Sequence, residues 1–239
     1  MIEIKNVTKY YGLKEVGLMD VSLNLKEGEI IGILGRNGSG KTTLLKSIMG
    51  LGETYEGEIL VDGKKPGEMY HDMAFISEEG SYFPNMTSRE YGIFLATFFE
   101  KFNLERYLQL IQFFELKLDV PIRKFSKGQK AKLETCAGLS KNTKYILMDE
   151  PFLGKDLMTR KTFLKLLIST FQENQTILIA THLIDEIENV LDRAIFLSFG
   201  RLQGSVVLDE LKAESKTLGD AMLEICHYDI KNIDLPTFN

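Results

Sequence analysis

Positive charge is in short supply in this chain: 29 Lys and Arg stand against 34 Asp and Glu, a net charge of −5. A nucleic-acid binder normally carries a basic stripe, so no nucleic-acid partner is expected. Cysteine is scarcer still, with only Cys136 and Cys226. Two isolated thiols are too few for a disulfide framework or a metal cluster. Cys136 is expected to pack inside a helix as a small hydrophobe, and Cys226 to be an ordinary thiol in the tail. Long apolar runs are missing too. The longest uncharged apolar stretch covers residues 91–99, far short of the about 20 needed to span a bilayer. Glu3 interrupts the opening strand, so the start does not read as a secretory leader and a cytosolic location is expected. Repeats, low-complexity tracts and sustained heptads are absent as well. What remains is 44% hydrophobic and 26% charged over 239 residues. That is ordinary for a globular protein of one large domain or two small ones.

Against that plain background one stretch stands out. Gly35-Arg36-Asn37-Gly38-Ser39-Gly40-Lys41-Thr42 fits the pattern G-x-x-x-x-G-K-[ST]. Glycines let successive backbone N–H groups turn inward around a polyphosphate with no Cβ in the way. Lys41 supplies a charge that reaches the β- and γ-phosphates, and the Thr42 hydroxyl is placed to ligate Mg²⁺. Residues 29–34 read as a buried strand entering the loop. Residues 43–49 read as a helix leaving it, with Leu44, Leu45 and Ile48 on one face. That order points the positive end of a helix at the phosphates. A nucleoside triphosphate site is expected here.

Residues 2–5, 18–25 and 58–61 read as strands, the last closed by the turn Asp62-Gly63. From Thr87 the pattern turns helical. Thr87-Ser88-Arg89-Glu90 is a capping box opening a helix that reaches residue 101, and a second helix is expected over about 104–115. Ser126-Lys127-Gly128-Gln129 is another capping box, opening a helix through Leu139. Strands and helices then alternate. Residues 145–148 and 176–180 are apolar runs suited to central strands of a parallel sheet covered on both faces. Leu164, Leu167 and Ile168 are expected to form the apolar face of the helix between them, and Ile184, Ile187 and Leu191 that of the next. Residues 194–199 with Gly200-Arg201 resemble a final strand and turn, and residues 218–226 a tail helix.

Met148-Asp149-Glu150-Pro151 puts an acidic pair at the C-terminal end of a buried strand, where ligands of open α/β sheets sit. A carboxylate there holds Mg²⁺ in phosphate-loop enzymes, which suits Asp149, and Glu150 can orient and deprotonate an attacking water. His182 ends another core strand. Taken alone it fits a structural role as well as a bond to the γ-phosphate.

The order of these motifs resembles that of an ATP-binding-cassette ATPase, the motor subunit of a membrane transporter, over nearly the whole chain. The phosphate loop, extended through Thr43, closely matches the family form. The resemblance implies an α/β fold: a phosphate-loop NTPase core with a parallel central sheet, an N-terminal antiparallel β portion and an inserted helical subdomain. Residues 1–210 would form a single nucleotide-binding domain, the insert covering about 80–140, with 211–239 a C-terminal helical tail. ATP and Mg²⁺ are the implied cofactors. Tyr11, with Tyr10 as its neighbour, sits where the family stacks an aromatic ring on adenine. Phe125-Ser126-Lys127-Gly128-Gln129 resembles the signature whose Ser126, Gly128 and Gln129 would cap ATP bound by the opposite subunit. Leu153-Gly154-Lys155-Asp156 falls where the family has a dimer-contact loop ending in Asp. Ala180-Thr181-His182 corresponds to the switch histidine, making Glu150 and His182 the implied catalytic pair.

Three positions depart from the family pattern. Glu78 stands where Gln is usual; a carboxylate still ligates Mg²⁺ or its waters but cannot donate as an amide does. Lys127 replaces the first signature glycine, and the contact loop lacks its usual start. Acid at the first position and Lys at the second resemble the branch of drug, bacteriocin and antimicrobial-peptide exporters. The implied partners are a membrane-spanning permease made as a separate chain, and a second copy of this chain or a paralogous cassette. The implied place is the cytoplasmic face of the membrane, reached through the permease. The alternative is a soluble cassette that scaffolds cofactor assembly without transport.

Overall fold

The computed structural model describes residues 1–12, 15–52, 56–77, 80–152 and 157–226. Three strands, β1 (Ile2–Tyr11), β2 (Glu15–Leu25) and β4 (Glu56–Val61), form an antiparallel sheet in the order β2-β1-β4. The larger sheet contains β3 (Ile30–Leu34), β5 (Met73–Ile76), β6 (Tyr145–Asp149), β7 (Thr176–Thr181), β8 (Arg193–Ser198) and β9 (Arg201–Val207). Its order is β5-β6-β7-β3-β8-β9, parallel throughout except for β9, which returns antiparallel beside β8. Crossovers between parallel strands need long connections. These carry helix α1 (Lys41–Ile48) after β3 and α2 (Ser88–Phe98), α3 (Leu104–Phe113) and α4 (Lys127–Ser140) between β5 and β6. Helix α5 (Leu157–Thr170) follows β6, α6 (Ile184–Ile187) follows β7, and α7 (Leu208–Ala213) and α8 (Leu218–Ile225) follow β9.

The central strands are apolar on both faces because both faces are covered. Ile31, Ile33, Leu147, Leu178 and Ala180 point to one core, shared with Leu44, Leu45 and Ile48 of α1 and with Ile2, Ile4 and Val61 of the antiparallel sheet. Ile146, Met148, Ile177 and Ile179 point to the other, with Tyr91, Tyr107, Leu133, Cys136 and Phe163 from the helices. Strand period two thus splits each run between two cores. The capping boxes at Thr87–Glu90 and Ser126–Gln129 are both present.

Several elements differ from the sequence expectation. Helix α1 starts at Lys41 and α2 stops at Phe98. In α5, Ile168 is 52% exposed; Phe163, 1% exposed, joins Leu164 and Leu167 on the buried side. Helix α6 is a single turn, and Leu191 is buried from extended chain beyond it. Strand β8 is not the last, since β9 pairs with it. Strand β5, too short to show a period, was not expected at all. No helix among the described residues is long and apolar enough to cross a membrane.

The turn after β4 ties the two sheets together. The Asp62 carboxylate accepts from Lys144 Nζ at 2.8 Å, from the Tyr145 hydroxyl at 2.7 Å and from the Met1 amine. Burial pushes the Asp62 carboxyl up, but these donors outweigh it and hold it at about 2, against an ordinary 3.8. A depressed carboxyl stabilises the fold above its unfolded value, and that contribution disappears as pH falls through the folded one. Asp62→Asn should therefore cost about 1–2 kcal/mol at neutral pH. In urea titrations the gap from the parent should close between pH 4 and 2; an equal gap at both ends would remove the carboxylate from the account.

Candidate nucleotide site

Strand β3 delivers the chain, buried through Leu34, to a loop that must turn tightly before α1. A Cβ on Gly35 would lie 2.3 Å from the Leu197 carbonyl oxygen. Gly40, the residue before α1, has φ +104, which a side chain would strain, and a Cβ there would meet the Gly17 carbonyl at 2.7 Å. No side chain caps α1. Its first N–H groups and its dipole are left to an anion.

Lys41 is 6% exposed, and its ammonium donates to the carbonyls of Gly35 at 3.0 Å and Arg36 at 3.2 Å. The same ammonium lies 3.5 Å from Glu150 Oε1. Thr42 Oγ1 donates to Asp149 Oδ1 at 2.9 Å, joining the helix start to the end of β6. Burial pushes the Asp149 carboxyl up while the Thr42 hydroxyl pulls it down. A hydroxyl and a carboxylate side by side are hard oxygen donors of the kind that suit Mg²⁺, which keeps phosphate and water as its other ligands.

Glu150 adopts φ +45, a left-handed backbone that aims its side chain across β7. Its N–H donates to the Ala180 carbonyl at 2.8 Å. Glu150 Oε2 accepts from Thr181 Oγ1 at 3.0 Å, and Oε1 lies 2.9 Å from His182 Nδ1. Adjacent parallel strands β6 and β7 end side by side, so Glu150 meets Thr181 and His182, some thirty residues further along the chain, at one edge.

A cavity of about 350 Å³ is lined by residues 37–43, Glu150, His182, Tyr11, Glu15, Val16 and Gly17. Tyr11, not Tyr10, is on this wall; its hydroxyl lies 3.3 Å from Thr43 Oγ1. A second cleft, of about 500 Å³, continues past Arg36, Asn37, Gly38, Ser39 and His182 to Ser198 and Phe199. Ser126 and Gly128 are exposed at the head of α4 and line neither opening; Gln129 Oε1 and the Ser126 hydroxyl cap each other's backbone N–H groups at 2.9 and 3.2 Å. Glu78 and Asp156 lie outside the described residues.

Sequence reasoning passed over Thr181, which anchors Glu150, although its hydroxyl directly precedes His182 at a strand end. It also passed over Glu15, Val16 and Gly17, which carry no phosphate-binding pattern, and over Phe199, 87% exposed at the β8–β9 turn.

A family model described as ABC transporter matches residues 18–153. The ABC transporter ATP-binding protein YtrB of Bacillus subtilis is 34% identical over 218 residues, covering 90% of this chain and 74% of that protein. The glutamine transport ATP-binding protein GlnQ of Escherichia coli is 33% identical, covering 84% and 89%. The bacitracin transport ATP-binding protein BcrA of Bacillus licheniformis is 30% identical, covering 90% and 72%. Among solved structures, a dimeric post-hydrolysis state of the ATP-binding cassette MJ0796 with ADP and Pi superposes with a TM-score of 0.78. It is 27% identical, over 87% of this chain and 99% of that one. The match to the family model spans more than half the chain, and a loop built for polyphosphate beside a buried acid agrees with it: the chain belongs to the ABC transporter family, as an ATP-binding cassette that hydrolyses ATP.

Proposed function

We propose that this chain drives a separate membrane-spanning permease, from the cytoplasmic face of the membrane, for the export of drugs or peptides. The observation that carries its motor role is the meeting of Lys41, Glu150 and His182, with Glu150 Oε1 in reach of both other side chains. In this reading Glu150 is the general base. It takes a proton from water as the water oxygen bonds to the γ-phosphorus and the bond to the ADP oxygen breaks. Thr181 and His182 hold that carboxylate in place, and His182 also bonds the γ-phosphate. Lys41 and the loop N–H groups from Gly38 to Thr43 neutralise phosphate charge, while Arg36 and Asn37 border the γ-phosphate side and Tyr11 packs on adenine. Thr42 and Asp149 would hold Mg²⁺, with Glu78 as a further ligand, and the ion would supply positive charge against the phosphates. Residues 1–210 act as the cassette, with about 80–140 as its inserted helical subdomain and 211–239 as its tail.

Ser126, Gly128 and Gln129 do not line this chain's own pocket, and in this reading they act on ATP held by a second copy or a paralogue, with Asp156 in the contact between the two. The permease docks on rings that run from Phe83, before α2, along that helix to its end. Phe83, Phe94 and Phe98 form a ladder with centroids 4.9 and 4.6 Å apart. Phe83 is 46% and Phe98 68% exposed. Tyr91, on the same helix, is 2% exposed and belongs to the core, so it takes no part in this surface. Half-buried aromatic anchors contribute about 2 kcal/mol each at an interface. Phe83→Ala with Phe98→Ala should release the membrane protein that copurifies with the parent, while ATP binding by the chain is unchanged; full copurification would place the docking surface elsewhere.

The export reading is supported by the likeness to the bacitracin transport protein and by Lys127 in the signature. The likeness to the glutamine transport protein favours a second reading, uptake. ATP-driven movement of peptide into inside-out vesicles supports export. Movement out of them supports uptake, and absence of any copurifying membrane protein supports the soluble scaffold.

A further inference from the structure

Glu134 is a carboxylate in an apolar place. It lies on the inner face of α4, 3% exposed, between the fully buried Leu133 and Thr135. Its Oε2 accepts from the Ser81 hydroxyl at 3.1 Å, and its Oε1 has no hydrogen-bond partner. Around it stand Ser81 from the segment after β5, Tyr91 from α2, Tyr107 from α3, and Lys141 beyond the end of α4. The Tyr107 hydroxyl is committed to the Ser88 carbonyl, to which it donates at 2.8 Å. The Lys141 ammonium sits over the Phe99 ring, 4.2 Å from its centroid. Burial pushes the Glu134 carboxyl up, against the hydrogen bonds from Ser81 and the charge of Lys141.

An ionised carboxylate with one bare oxygen is costly in such surroundings. A neutral acid can donate through Oε2 to Ser81 and leave Oε1 as a carbonyl, whose missing partner costs less. Packing alone does not require this residue, because an apolar side chain of similar size suits the site better. The group's distinctive contact is Ser81, on the described stretch of chain between β5 and α2 that has neither helix nor strand at residues 80–83. That stretch leaves the nucleotide end of β5, just past Glu78. Helix α4 carries Ser126 and Gln129 at its head and packs against β5.

We propose that Glu134 is a positioning residue that fastens the segment leaving β5 to helix α4 through Ser81, so that displacement at the nucleotide end of β5 is carried to Ser126 and Gln129. The inference rests on the cassette reading above, in which those two residues meet ATP across a dimer.

Steady-state ATPase measurements on the full chain with its copurified permease test it, using Ser81→Ala, Glu134→Met and Glu134→Gln. Ser81 itself is exposed and its hydroxyl is small, so Ser81→Ala should stay folded, with only the modest loss of melting temperature that an unpartnered Glu134 carboxyl brings. It and Glu134→Met should lower kcat about tenfold, the loss of one buried hydrogen bond expressed at the transition state. KM and the ATP Kd of the isolated chain should stay parental. Glu134→Gln keeps a partner for Ser81 and should restore most of the rate. Parental kcat in both Ser81→Ala and Glu134→Met overturns the latch, as does a fall in kcat matched by an equal loss of ATP affinity. Failure of Glu134→Gln to outperform Glu134→Met also overturns it. A Ser126→Ala control separates the two ideas: if it leaves the parental rate untouched the cassette reading of α4 fails, whereas a slowed control beside an unaffected Ser81→Ala removes only the latch.

Discussion

Glu150→Gln should bind ATP as the parent does and turn it over two to four powers of ten more slowly, the usual worth of a positioned general base. The replacement preserves size and shape, and Gln can still accept from Thr181 Oγ1, which now holds Glu150 Oε2 at 3.0 Å. What it loses is the ability to take a proton. The backbone at residue 150 already sits at φ +45, and its N–H bond to Ala180 is independent of the side chain. No change in the course of the chain is therefore expected. Phosphate release measures the rate, and a fluorescent ATP analogue measures binding. Because hydrolysis no longer disperses the assembly, light scattering should show the variant moving from monomer to dimer on adding ATP. A variant that hydrolyses at the parental rate removes Glu150 from the role of base, and one that stays monomeric at saturating ATP counts against the two-chain sandwich.

Lys41→Met should produce the complementary defect, a loss of ATP binding itself. Met keeps the apolar stem, which is buried, and deletes only the charge. In the protein the ammonium is held by two backbone carbonyls and faces Glu150, so its position is fixed before any phosphate arrives. Charge-assisted hydrogen bonds contribute about 1.5–3 kcal/mol each. Losing the contacts to two phosphates should weaken the ATP Kd by about a hundredfold or more. Isothermal titration gives the Kd, and far-ultraviolet circular dichroism should remain that of the parent. Parental affinity would mean that the loop N–H groups carry the phosphates without this charge. The two variants together separate holding the nucleotide from cleaving it.

Features that depend on a few neighbouring residues were legible without any structure. The spacing of Gly35, Gly40, Lys41 and Thr42 dictates a phosphate loop because backbone turns are short-range. The boxes at Thr87–Glu90 and Ser126–Gln129 mark helix starts because each side chain reaches only its own first turn. The runs at residues 145–148 and 176–180 announce strands covered on both sides. The acidic pair Asp149-Glu150 could be placed at the C-terminal end of a parallel strand, where ligands of such sheets sit.

Facts set by residues far apart in sequence were not legible. Periodicity places Ile168 on the apolar face of its helix, but which side is covered depends on what other elements bring, and Ile168 is exposed while Phe163 is buried. Thr181 became a partner of Glu150 only because β6 and β7 end side by side. Glu134 reads in sequence as one more charge on a polar helix, yet α4 turns it inward beneath Ser81. Local chemistry, written in a handful of adjacent side chains, determined the loop, the caps and the central strands β3, β6 and β7. The tertiary structure alone decided which carboxylates meet which partners and which rings face out, because burial and long-range hydrogen bonds belong to the packed chain and to no single segment of it.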